Sequence, residues 1–219
     1  MKLFRLDASI RTTGSVTRAI ADTAESSWLA EHPGSTVTRR DIGARPLEST
    51  TWVTAVGARH TPPDQRTPEQ VGAVRLAATL ADELVDADAY LFGVPLYNFG
   101  VPAHFKVWVD LLLTDPRLPS GGPSPVESRP AVLVLARGGG YGAGTPREGW
   151  DHAAPYIRRI LGDVLGLDLH VAEAELTLAP VVAAMEPLRP LAEASLAKAH
   201  ALAAEHGRLV ARLLGGRAA

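Results

Sequence analysis

The stretch DAYLFGVPLYNFGVPAHFKVWVDLLL, residues 88–113, decides how the chain is read. Its first third, Ala89 to Val94, is a continuous apolar run bounded by Asp88 and Pro95. A run of that length without polar alternation is a strand buried on both faces, as in a parallel sheet covered by helices. Pro95 has no N–H to give to a ladder, so the strand is expected to stop there. From Pro102 onward, Phe105, Trp108, Val109, Leu112 and Leu113 recur at helical spacing, with the proline suited to the first turn. Between strand and helix lies Leu96-Tyr97-Asn98-Phe99-Gly100, a short loop with two aromatic residues. Loops at the carboxyl ends of strands carry ligands in open α/β sheets, so this loop is the first candidate site.

Outward from this stretch the pattern repeats. Lys2 to Ala8 is a first strand, followed by the small polar loop Ser9 to Thr17 and a helix whose apolar face is Val16, Ala19, Ile20, Ala24 and Trp28. Ser15 is placed to cap that helix. A strand, a small-residue loop and a helix start form an arrangement that binds phosphate, although an ordinary capped helix has the same appearance. Ser35 to Arg40 is a short second strand. Residues 44–66, with Pro46, Pro62 and Pro63, show no sustained period and are expected to form a long loop. Trp52 within it either faces substrate or plugs the core. Thr67, Pro68 and Gln70 have the spacing of a capping box and open the next helix.

The helix at 102–113 is apolar nearly all round, which predicts cover on both sides: the sheet on one and a second copy of the chain on the other. Pro130 to Ala136 is another fully apolar strand, followed at once by Arg137-Gly138-Gly139-Gly140-Tyr141-Gly142. Glycines there allow close approach of backbone to a flat ligand and allow positive φ, though a flexible turn has the same composition. Residues 151–165 are helical, 167–176 supply a fifth strand and 191–214 form a closing helix. Strands and helices alternate throughout, which predicts one domain with a doubly wound, five-stranded parallel sheet and helices on both faces.

Composition sets the remaining bounds. The 219 residues are 46% apolar with a net charge of −2, which supports neither a nucleic-acid nor a membrane-surface partner. Cysteine is absent, which removes disulfides, thiolate ligands and cysteine nucleophiles and suits a reducing cytoplasm. Charged residues interrupt the N-terminal segment, so it is not a signal peptide, and no apolar run is long enough to span a membrane. The seven histidines show no metal-ligand spacing, so no metal site is expected. Ligand loops without an evident nucleophile suggest that a cofactor carries the chemistry.

The segment Pro95-Leu96-Tyr97-Asn98-Phe99-Gly100-Val101-Pro102, running on into Lys106, Trp108 and Asp110, resembles the FMN-dependent NADH-azoreductases and quinone reductases of the flavodoxin-like superfamily. Arg137-Gly138-Gly139, with Tyr141, is similar to the second flavin loop of that family, and Ser9 with Ser15-Val16-Thr17 to its phosphate loop. The resemblance implies a homodimer through the helix from Pro102 to Leu113, FMN as cofactor and NADH or NADPH as co-substrate. Ser9, Ser15, Val16 and Thr17 would hold the FMN phosphate. Pro95, Leu96, Tyr97, Asn98 and Phe99 would lie along the ring, with Ala136, Arg137, Gly138 and Gly139 near its pyrimidine edge. Arg137 is a candidate to offset negative charge on the reduced ring, while Phe99 and Tyr141 would be stacking walls for a small aromatic acceptor. Two departures stand out: Val16 replaces a polar residue in the phosphate loop, and the Thr114–Pro125 loop carries no aromatic side chain. An FMN electron carrier, a flavin reductase serving one metabolic pathway and a flavin-free scaffold are the alternatives.

Overall fold

The computed structural model of the chain describes residues 1–118 and 122–215. Its strands are β1 (Lys2–Asp7), β2 (Thr36–Asp41), β3 (Ala89–Pro95), β4 (Pro130–Ala136) and β5 (Asp168–Ala174). They form one sheet in the order β2-β1-β3-β4-β5, every neighbouring pair parallel. The helices are α1 (Val16–Glu31), α2 (Ser49–Ala58), α3 (Pro68–Val85), α4 (Ala103–Leu112), α5 (Ala153–Arg158) and α6 (Arg189–Gly215). Every residue of β3 and β4 is buried, as their unbroken apolar composition requires.

Successive strand residues point to opposite faces, and the core divides accordingly. On one face Phe4, Leu6, Tyr90, Phe92, Leu133 and Leu135 pack with side chains from α2 to α5, among them Phe105 and Trp108 of α4. On the other face Leu3, Leu91, Val132 and Val134 meet Ile20 and Trp28 of α1 and Val210 of α6. A fully buried large side chain of this kind contributes about 2–3 kcal/mol. The two outer helices cross closely at Gly207, where a Cβ would lie 2.3 Å from the Ala24 carbonyl oxygen. Any side chain there would drive the helices apart.

Two expectations are corrected and two others refined. Residues 44–66 are not one loop, because Ser49–Ala58 forms a helix and Pro63–Gln65 a 3₁₀ turn. Only Ala55 and Ala58 of that helix are buried, so it leaves almost no apolar stripe in the sequence. Trp52 does not plug the core; it stands on α2 with 41% of its surface exposed. The apolar circumference of α4 has its reason partly within the chain, since α2 and α3 both pack against it. Its open face holds Ala103 and Lys106, with Val107 and Asp110 half-buried beside them. The helix after Asp151 also changes character, continuing as a π-helix over Arg159–Val164. In the Thr114–Pro125 loop, Pro119, Ser120 and Gly121 lie outside the described residues.

Candidate functional site

The sheet order reverses direction between β1 and β3, and the loops leaving β1, β3 and β4 converge on one rim at that point. A cleft there is lined by Ser9, Arg11, Ser15, Val16 and Thr17 from the first loop and helix, and by Pro95, Leu96 and Tyr97 after β3. Ala136, Gly138, Thr177 and Leu178, from the ends of β4 and β5, complete it. Nine of the residues expected from sequence therefore come together. Asn98, Phe99, Arg137, Gly139 and Tyr141 stand beside the cleft or behind its wall rather than in its lining.

The first loop is held by its own polar atoms. The Ser15 hydroxyl caps α1 by accepting from the Arg18 amide at 3.3 Å and donates to Ser9 Oγ at 2.9 Å. The Arg11 amide donates to the same Ser9 Oγ. Arg18 then locks the loop from outside, donating to the carbonyl oxygens of Ser9 and Arg11 at 2.7 and 3.0 Å while pairing with both oxygens of Asp41. Burial works against the Asp41 carboxylate, but the Arg18 guanidinium and the Ala44 amide outweigh it and hold its pKa below the usual value. Beneath the loop, Gly43 lets the end of β2 touch the backbone of Ser9. The amides of Val16 and Thr17 head the helix with no intrahelical acceptor, and their positive end of the dipole points into the cleft. Thr17 is 3% exposed, and among the described residues its hydroxyl has no hydrogen-bond partner.

The second loop is a tight turn. Tyr97 and Gly100 exchange both backbone hydrogen bonds at 3.0 Å, while Asn98 and Phe99 take φ of 47° and 69°. Positive φ suits asparagine but strains phenylalanine, so the turn holds Phe99 outward at a cost of about 1–3 kcal/mol. Tyr97 ties this turn to the first loop, its hydroxyl accepting from the Ile10 amide at 3.2 Å. His104, at the start of α4, donates from Nε2 to the Ala8 carbonyl at 2.7 Å and so braces the end of β1.

The third loop differs from expectation in two respects. None of Gly138, Gly139, Gly140 or Gly142 has positive φ. They are needed for close approach: a Cβ on Gly138 would meet Leu178 at 2.7 Å and one on Gly139 would meet Arg147 at 3.0 Å. The carbonyls of Arg137, Gly138 and Gly139 accept from Thr177, Leu178 and Leu176, whereas the amides of Gly138, Gly139 and Gly140 find no acceptor among the described residues. The Arg137 side chain is turned away from the cleft. It is 8% exposed and paired with Asp151 at 2.7 Å, Glu175 at 3.0 Å and Glu173 at 3.2 Å, so its charge is already balanced. Above the glycines, the Phe99 ring lies 6.4 Å from Tyr141 and 5.4 Å from Trp150.

Sequence reasoning missed Arg11, Thr177 and Leu178 in the lining, and Arg18 and Asp41 as the clamp behind it. Thr177 and Leu178 were within reach of the same strand-end rule, because β5 opens onto the same rim. No group of acidic or histidine side chains among the described residues could hold a metal ion.

Fold and site together define a flavodoxin-like protein with its ligand cleft at the carboxyl rim, and the family model described as a flavodoxin-like fold matches residues 1–184. A protein of Frankia casuarinae named FMN-dependent NADH:quinone oxidoreductase is 39% identical over 203 residues, covering 92% of this chain and 96% of its own. One of the same name from Frankia alni is 41% identical over 197 residues, with 89% and 93% covered. Among solved structures, an FMN-dependent NADH-azoreductase from Bacillus anthracis in complex with FMN superposes with a TM-score of 0.75 at 17% identity, covering 96% of this chain and 99% of that one. The chain belongs to the flavodoxin-like family and, within it, to the FMN-dependent NADH:quinone oxidoreductases.

Proposed function

We propose that the chain binds FMN in this cleft and uses NADH or NADPH to reduce a quinone or another small aromatic acceptor. The observation that carries the proposal is the order of chemistry along one rim. A helix start with free amides and the Ser9, Ser15 and Thr17 hydroxyls fits a phosphate. The apolar wall of Pro95 and Leu96, continued by Tyr97, fits a flat ring, and the unpaired amides of the glycine loop fit its polar edge. The relatives named above carry FMN in their names, and these residues suit that group.

Ser9, Ser15, Val16 and Thr17 hold the phosphate in this reading, Val16 through its amide, so the loss of a polar side chain there matters little. Pro95, Leu96, Tyr97, Asn98 and Phe99 orient the ring, and Ala136, Arg137, Gly138 and Gly139 meet its far edge through backbone atoms. FMN bound there would supply two-electron chemistry between a nicotinamide and the acceptor. Backbone amides aimed at the ring edge stabilise negative charge there without reorganising. The cleft lining has no carboxylate and no histidine, so protons come from solvent. The open face of α4, flanked by α2 and its exposed Trp52 and Val53, is the surface through which two copies would pair. No described helix is long and apolar enough to cross a membrane, and dependence on a nicotinamide nucleotide suits a cytoplasmic enzyme.

Initial rates of the FMN-loaded protein, measured against NADH at several quinone concentrations, test this reading. Both substrates using one ring face in turn gives parallel double-reciprocal lines. Intersecting lines count against the shared face, and no NADH consumption rejects the activity.

A further inference from the structure

Val16, the apolar member of the phosphate loop, lines two cavities. One is the cleft. The other is a recess between the start of α1, the residues after β5 and the first turns of α6. Thr177 belongs to both linings, so the recess continues the cleft beyond its phosphate end. The walls are apolar, with Val16, Leu176 and Pro180 facing Ala192 and Leu196 of α6, and Leu196 is 36% exposed. Leu176 takes a φ of 59°, a conformation unfavourable to a bulky side chain, and its amide donates to the Gly139 carbonyl at 3.1 Å. At the rim, the Glu193 carboxylate makes no hydrogen bond and no ion pair among the described residues. The Arg11 guanidinium, in the lining of the cleft, is likewise without a partner among the described residues. A helix start and the Ser9, Ser15 and Thr17 hydroxyls suffice for one phosphate, which leaves this cation for a second.

We propose that the recess is a base subsite and that the chain takes FAD as well as FMN. The adenine ring lies between Val16 and Leu196, its amino group donates to Glu193, and Arg11 offsets the second phosphate. The inference rests on the flavin reading of the cleft and extends it from the mononucleotide to the dinucleotide. It also gives the Val16 side chain a use that a polar residue would not serve.

The test titrates the full chain, freed of flavin, with FMN and with FAD by calorimetry. Two variants accompany the parent, Leu196→Trp, which fills the recess, and Leu196→Glu, which places a charge in it. Leu196 lines the recess and not the cleft. The parent is expected to bind FAD within about threefold of FMN. Both variants are expected to weaken FAD about tenfold and FMN by less than about twofold, and retained FMN binding shows that they fold. Arg11→Met should raise the FAD constant more than the FMN constant, and equal rises overturn its role. FAD more than about tenfold weaker than FMN in the parent overturns the proposal, as do Leu196 variants that change both flavins alike or neither. A raised KM for NADH in the FMN-loaded Leu196 variants, with FAD affinity unchanged, also overturns it and assigns the recess to the nicotinamide dinucleotide. If neither flavin binds, the flavin reading fails and titration with AMP decides the subsite. AMP binding that is lost in Leu196→Trp supports it, and no AMP binding overturns it.

Discussion

Replacing Gly43 by alanine puts a methyl carbon 2.0 Å from the Ser9 carbonyl oxygen and 2.5 Å from its carbon. Real Cβ atoms do not come within 3.0 Å of such atoms, so the two backbones must part by about 1 Å. Neither side yields easily. The amides of Ile42 and Gly43 both bond the Asp7 carbonyl at 3.0 and 3.2 Å, and Arg18 holds the Ser9 carbonyl at 2.7 Å. Overpacking of this kind costs about 1–3 kcal/mol. If the Ser9–Ser15 loop is what moves, the same energy reappears in ligand binding as a loss of about fivefold to a hundredfold in FMN affinity. Quenching of flavin fluorescence during titration gives the dissociation constant, and urea unfolding gives the stability of the same sample. A dissociation constant within about twofold of the parent refutes the reasoning, most directly if stability has fallen, because the displaced loop would then not hold the flavin.

Arg5→Met removes a guanidinium that is 4% exposed and bonded to Asp7, Asp22 and Glu25, leaving the buried Asp7 and Glu25 with only Arg18 and Arg39 beside them. It is expected to cost about 3–5 kcal/mol in urea unfolding, and a loss under about 1 kcal/mol contradicts that. Tyr97→Phe deletes the bond to the Ile10 amide. It should weaken FMN about twofold to tenfold with little change in the unfolding midpoint, as loss of one part-exposed hydrogen bond implies. Burial holds the His206 imidazole below its ordinary pKa of 6.5, and neighbouring His170 adds to the effect. The unfolded chain therefore takes up that proton first, so stability is full above pH 6.5 and falls as pH drops below it. His206→Phe should flatten that decline in unfolding midpoints measured across the same range, and an unchanged slope removes His206 as its source.

The sheet was legible because β3 and β4 are buried on both faces and so lack any polar residue, a pattern no surface element imitates. The two capped helices were legible for a local reason: the Ser15 and Thr67 side chains bond amides three residues on, as observed at Arg18 and Gln70. Helix α2 was not, because its sequence STTWVTAVGA is rich in β-branched residues and buries only two alanines. The turn at Tyr97–Gly100 could be placed by the strand-end rule, yet its positive φ values at Asn98 and Phe99 have no glycine to announce them. The fate of Arg137 was hidden for another reason. Its partners Glu173 and Glu175 are distant in sequence and meet it only once β5 pairs with β4, and Asp151 reaches it from the residues just before α5. The same holds for Arg147 and Trp150, which reach Phe99 through the course of the loop after the glycines.

The central claim is that three backbone turns on one rim grip a flavin. Incubation of the purified chain with excess FMN, removal of free ligand by desalting and an absorption spectrum of the eluted protein test it most directly. The account predicts a yellow protein carrying close to equimolar FMN, and a protein that elutes colourless contradicts it.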